Sequence, residues 1–471
     1  MRWAIITLLL VTVVGCGAAV PMEKDEAFRF SVEAVQNEAF VKGAKAAWQF
    51  IKAADPDDPR YDRGLRLVAR SAEGLGLNFA ASMIYRQIAQ IRRNMELVPD
   101  ALQGIERIVQ QGVYDEDILI TSFIASEEFG DLPDDVQAFV NFYQGLDLAK
   151  RGERDWAEVR FAMLPENHYY AARAEYVRAV QLVADGNFYK ARKKLELLKD
   201  HPAYNFDLSK DVERTLARIA FEEERFEDAL THFGVLKKLA PNDPEIILEM
   251  AWTYYYLGDS RKTLGLLTAF DAPVHRSYIS PERYLLEALA LRRLCQFGAA
   301  REAAVRLEKK HSNSLTSLRR GVLPEDIPEL RTAAKQRGFS RNNTKFTDRI
   351  DDEIALLEDL NGTLGDDLHD FLKNLYQRGL EESRKREEEL LRSDIVELTE
   401  ELLAAEEGVR LIVHELGVSM LRGRRRPPGA VEKPAVEIPI TGDRVFYPFE
   451  GEYWTDELDG LVVIAEDRCI D

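Results

Sequence analysis

The chain reads as all-α: helical hairpins stacked into a solenoid, then long heptad-patterned helices, then a short C-terminal tail with brief strands. Three observations predict this. Small and large apolar residues recur at helical spacing through residues 217–270, and the set repeats 34 residues on. Residues 350–416 step between apolar positions by fours and threes, the mark of a heptad seam. Only the last 35 or so residues carry short β-branched runs between turn signals.

The repeat is clearest in its central pair. Ala217, Ala220, Ala229, Phe233 and Pro241 form one set, and Ala251, Tyr254, Thr263, Leu267 and His275 the next. Small residues at the first and third places let two helices approach closely. Phe233, Tyr254 and Leu267 fill the space between hairpins, and Pro241 and Pro244 end one unit and begin another. This pattern resembles the tetratricopeptide repeat. The resemblance implies a non-catalytic array that holds protein partners on its concave face, lined by the first helix of each hairpin. On the helix carrying Trp252, Thr253, Tyr254, Tyr255 and Tyr256, Tyr254 takes the core place. Trp252 and Tyr255 are therefore the surface candidates for partner binding.

The N-terminus supplies an address. Arg2 precedes an apolar run from Ile5 to Val14, which Gly15 and Cys16 close. The run is shorter than the roughly 20 residues a spanning helix needs. It resembles the lipobox of bacterial lipoproteins, although Val13 stands where Leu is commoner. That resemblance implies a signal peptide over residues 1–15, acylation of Cys16 and a tether over residues 16–27. Gly17, rather than Asp, follows the Cys, which by the same resemblance implies the outer membrane. The competing reading is an ordinary signal peptide cut after Ala18 or Ala19.

The solenoid is assigned to residues 28–312 as six to eight hairpins. Apolar residues from Phe28 to Gln49 suggest one first helix, and Pro56 and Pro59 mark a turn. Ala69, Ala72, Ala81, Tyr85 and Ile88 make a divergent unit with Gly76 in its turn. Helices near residues 99–111 and 114–128 follow it. Units over residues 134–164 and 175–200 lead to the clear pair, and residues 281–311 close the array. Residues 313–345 read as a cap and linker. Two heptad seams lie within residues 346–420. The first is Ile350, Ile354, Leu357, Asn361, Leu364, Leu368, Phe371 and Leu375. The second is Leu391, Ile395, Leu398, Leu402, Ala405, Val409, Ile412 and Leu416. Between them, either Gly379 marks a bend or the charged stretch of residues 381–389 stands exposed while the two seams pack in turn. The seams serve either an intermolecular coiled coil, and so self-association, or a hairpin folded back on the solenoid.

Residues 421–434, with Arg422, Arg424, Arg425 and Arg426, form a linker. In the tail of residues 435–471, residues 436–440 and 461–464 are the expected strands. Between them lie Phe446, Tyr447, Phe449, Tyr453 and Trp454, interleaved with carboxylates. This mix suits a docking peptide, and equally a cap on the open end of the helical core. The segment is similar to tails on tetratricopeptide lipoproteins of envelope machines in gliding delta-proteobacteria. That similarity implies a gliding-motility complex and carries over no residue role.

A net charge of −19 argues against nucleic acid as a partner. No phosphate-binding glycine loop, nucleophile elbow or metalloprotease helix occurs, and the seven histidines are scattered singly. No cofactor, metal or catalytic residue is expected. Cys295 reads as a small core residue in mid-helix, and a bridge to Cys469 is possible in an exported chain but not favoured. The expected function is an outer-membrane-anchored scaffold on the periplasmic side, joining other envelope proteins. The alternatives are an outer-membrane protein assembly factor, a peptidoglycan- or ligand-binding module in the tail, and a plain structural stalk.

Overall fold

The computed structural model describes residues 22–111, 116–275, 278–422, 461–463 and 465–469. Cys16 and the aromatic residues Phe446, Tyr447, Phe449, Tyr453 and Trp454 lie outside the described residues, as do residues 436–440 and Ile464.

Helices follow one another along the chain. α1 (Lys24–Gln36) and α2 (Phe40–Ala53) make the first hairpin, and α3 (Tyr61–Gly74) and α4 (Asn78–Ile91) the second. α5 (Val98–Val109) comes next, and a π-helical turn, Asp117–Thr121, runs into the short α6 (Ser122–Ile124). Five further hairpins succeed them. These are α7 (Asp134–Lys150) with α8 (Arg154–Phe161), α9 (Tyr169–Ala184) with α10 (Phe188–Leu198), and α11 (Phe206–Glu222) with α12 (Phe226–Leu239). α13 (Pro244–Leu257) with α14 (Ser260–Leu267) and α15 (Glu282–Arg293) with α16 (Phe297–Lys310) complete the series. Then come α17 (Ser312–Arg319), α18 (Pro328–Ala334), α19 (Gly338–Asp359) and α20 (Asp366–Arg422).

Each hairpin reverses through one residue in the left-handed region. Gly76, Gly152, Gly186 and Gly258 serve four of them, and Glu38, Glu224 and Cys295 serve the others. A left-handed residue after a helix turns the chain sharply while its N–H still reaches back to the last carbonyls. The small repeat residues sit where two helices touch: Ala217, Ala220, Ala229 and Ala251 are all buried. Expected and observed spans differ at the start. Residues 28–49 hold two helices rather than one, because the chain turns at Asn37, Glu38 and Ala39.

The chain divides into two compact units, residues 1–112 with 350–379, and residues 113–349 with 380–471. In the first, Trp48 of α2 stacks on Phe371 with ring centres 4.5 Å apart. Glu353 of α19 is buried and accepts from the Phe79 backbone N–H at 2.8 Å and from the Tyr376 hydroxyl at 2.7 Å. Glu353 thereby caps α4, whose own preceding residue offers no capping side chain.

The second unit buries the whole second seam. Leu391, Ile395, Leu398 and Leu402 pack against Leu315 of α17 and Leu330, Ala333 and Ala334 of α18. Ala405, Val409, Ile412 and Leu416 pack on α15 and α16. The seam is therefore spent within the chain. For the second seam this settles the choice left open by the heptads in favour of folding back. Nor is the first seam one helix. The chain breaks at residues 360–365, where Gly362 and Gly365 take positive φ, and Asn361 is exposed. α20 continues without interruption through Gly379.

Two further expectations need correcting. Cys295 and Cys469 are joined, with Cα atoms 5.1 Å apart. Cys295 is not a mid-helix core residue but the left-handed turn residue between α15 and α16, a position that presents its side chain at the rim. Leu461, Val462 and Val463 form no strand. They run against α14, where the Leu461 carbonyl approaches so near that a Cβ on Gly265 would lie 2.3 Å from it. Hydrogen bonds continue the docking. Arg261 Nε donates to the Ala465 carbonyl at 3.1 Å, Gln296 Nε2 to the Glu466 carbonyl at 2.7 Å, and the Arg468 N–H to the Leu294 carbonyl at 3.0 Å.

Candidate partner-binding site

Two consecutive first helices, α11 and α13, place their outward residues 31 positions apart, so that side chains meet across the repeat. Arg214 Nη1 donates to Glu245 at 3.0 Å, and one turn further Arg218 Nε donates to Glu249 Oε1 at 2.8 Å. Phe221 and Glu222 then stand at three and four residues beyond Arg218 on the same face. Glu249, Trp252 and Tyr256 follow the same stripe on α13, at steps of three and four.

These residues enclose a cavity of about 480 Å³ lined by Arg218, Phe221, Glu222, Glu249, Trp252 and Tyr256, with Glu282 of α15 closing one side. The rings support one another. Tyr256 meets Phe221 edge-on at 5.5 Å, stacks on Phe226 at 5.6 Å, and stacks on Trp252 at 5.9 Å. Tyr256 is still half exposed, at 53%.

The carboxylates are unevenly served. Glu249 uses Oε1 for Arg218, while its buried Oε2 has no hydrogen-bond partner among the described residues. Glu222 and Glu282 make no ion pair among the described residues. Burial pushes the Glu249 carboxyl up, against the pull of Arg218. Burial also pushes Glu282 up, and the nearby Glu401 adds to it. Trp252 slightly opposes that rise, and its indole N–H makes no hydrogen bond among the described residues.

Trp252 thus lines the pocket. Tyr255 does not: its ring lies under the Arg293 guanidinium at 4.1 Å and packs between the neighbouring cores. Tyr254 packs on the core and carries Lys262 over its ring at 4.9 Å. Sequence reasoning missed Tyr256, Phe221, Glu249 and Glu282. The step of three and four from Glu249 through Trp252 to Tyr256 was the available signal. The contribution of α15 had none.

A larger cavity, about 860 Å³, opens in the first unit along α1 and α3. Its arginines are already matched: Arg63 faces Glu96 at 3.5 Å, Arg66 faces Asp100 at 2.8 Å, and Arg70 faces Glu73 at 3.7 Å. None of these three guanidinium groups is left unmatched. Among the described residues no group of three or more His, Cys, Asp or Glu side chains converges to hold a metal ion. No helix among them is long and apolar enough to cross a membrane.

No family profile matches the chain, and no curated protein matches it. Solved structures similar to it include a tetratricopeptide repeat protein from Parabacteroides merdae, at 12% identity over 60% of this chain and 91% of that one, with a TM-score of 0.25. Yeast Tom70 matches at 14% identity over 80% of this chain and 92% of its own, with a TM-score of 0.23. The tetratricopeptide domain of P58(IPK) matches at 12% identity over 86% and 100%, with a TM-score of 0.21. At these scores the likeness carries no argument about function. The helical-hairpin reading rests on this chain's own repeat register and turns.

Proposed function

We propose that the chain is a non-catalytic scaffold, anchored through a lipid on Cys16 to the periplasmic side of an outer membrane, that gathers protein partners of an envelope machine. The observation that carries the binding half is the Trp252 pocket, an aromatic cavity with unmet charge on the first-helix face of two repeats. Such a surface suits the side chains of a partner. The address rests on the N-terminal pattern ending at Cys16. The Cys295–Cys469 bridge supports it, because such bonds persist in exported compartments and are rare in reducing ones. A gliding-motility complex is the narrowest form of this reading and rests on the tail aromatics alone.

The test is crosslinking and pull-down from membranes of the native host, comparing wild type with Cys16→Ala. A defined set of envelope proteins that leaves the outer-membrane fraction with the variant is the expected result. Continued membrane fractionation of Cys16→Ala with no partner recovered overturns both the anchor and the scaffold.

A further inference from the structure

We infer that the Trp252 pocket is a receptor for a basic side chain, lysine or arginine, presented by an extended segment of a protein partner. The inference rests on the scaffold reading and names what its binding face selects. Charge comes first. Three carboxylates, Glu222, Glu249 and Glu282, line a cavity whose one cation, Arg218, already sits on Glu249 Oε1. Arg214 and Arg337 act on Glu249 and Glu282 from outside the lining, but the lining itself is net negative, and Oε2 of Glu249 makes no hydrogen bond among the described residues.

Ring chemistry points the same way. Phe221, Trp252 and Tyr256 line one cavity, and a cation over a ring face is held by the ring quadrupole. The same arrangement already operates nearby, where Arg293 lies 4.1 Å from the Tyr255 ring centre. An acidic partner would meet three like charges. An apolar one would bury Glu282 without an ion pair, which is costly. A basic side chain satisfies both the acids and the rings.

Neighbouring residues favour a chain segment over a small free cation. Beside the pocket, Arg214 and Asp243 pair at 2.6 Å, and Tyr176 and Thr215 share a hydrogen bond of 3.1 Å. These pairs, on α9 and α11 and at the N-cap of α13, continue a polar face along the repeats, on which an extended segment can lie.

The test uses the full chain, with its bridge intact, against a library of immobilised random dodecapeptides. The Tyr256→Ala and Glu222→Gln variants are run beside wild type, since both alter exposed side chains and spare the core. Expected is enrichment of Lys or Arg at one peptide position, with affinity falling roughly threefold to thirtyfold in Tyr256→Ala, the range of a cation–π contact. Binding should also weaken with added salt. A selected peptide remade with norleucine or citrulline for its basic residue should lose binding, while free arginine or spermidine should compete poorly. No basic enrichment, enrichment of acidic or apolar residues, or enrichment indifferent to both variants overturns the inference. Strong competition by free spermidine overturns the peptide in favour of a polyamine. If native partners still crosslink to the Tyr256→Ala, Glu222→Gln double variant, the pocket assignment fails while the scaffold stands; absence of any partner on wild type sinks the scaffold itself.

Discussion

Phe79 and Gly379 meet with no room for a side chain between them: a Cβ on Gly379 would lie 2.2 Å from Cζ of the fully buried Phe79 ring. α20 needs this glycine for close approach. Gly379→Ala should destabilise the protein by about 1–3 kcal/mol through overpacking, outweighing the roughly 1 kcal/mol that alanine adds to a helix. Gly417 stands in the same helix with nothing within 4 Å of a Cβ. Gly417→Ala should therefore be neutral or stabilising, and urea unfolding of the two variants reads the contrast.

Glu353 is an acceptor for two buried donors, the Phe79 N–H and the Tyr376 hydroxyl. Glu353→Ala strands both, and should cost about 2–4 kcal/mol. Tyr376→Phe removes one donor and leaves the other satisfied, so it should cost about 1 kcal/mol. Similar losses in the two variants would show that the carboxylate does not cap α4.

His311 sits buried against Tyr284, and burial, with Lys310 and Arg283 adding to it, pushes its imidazole down to about 4. The unfolded chain, at about 6.5, then binds more protons than the folded one between these values. Stability from this group is present above pH 6.5, is lost as pH falls, and reaches its full penalty below 4. Between pH 7 and pH 5 the loss should be about 2 kcal/mol. His311→Gln should remove that share of the acid sensitivity, measured by urea unfolding at both pH values. An imidazole that titrates near 6.5 by NMR would contradict this.

The Cys295–Cys469 bond spans 174 residues of chain. Cys469→Ser should lower stability by about 2–5 kcal/mol, most of it through the freer unfolded chain. Reductant should bring the wild-type melting temperature down to that of the variant and leave the variant unmoved. An equal response of both proteins would mean the bridge is not formed.

The pocket was half legible. Trp252 could be found because helical periodicity separates it from Tyr254, which keeps the repeat register. Choosing Tyr256 over Tyr255 required knowing what lies opposite each, and Arg293 of the next hairpin claims Tyr255. Glu282 reaches the cavity from α15, and no local pattern in α13 points there.

By itself the sequence determined what short-range chemistry controls: helices of 3.6-residue period, small residues at the closest crossings, and hairpins repeating through the array. The apolar stripe of residues 391–416 was equally plain. What that stripe would cover was not, because a heptad seam suits another chain as well as α15, α16, α17 and α18 of its own. Tertiary structure decided this, together with the partners of Gly379, Glu353 and Cys295. The same holds for α19, whose Ser340 N–H is bound by Asp394 at 3.0 Å from 54 residues away. Spacing along the chain encodes which face a residue takes; only packing decides which distant group meets that face.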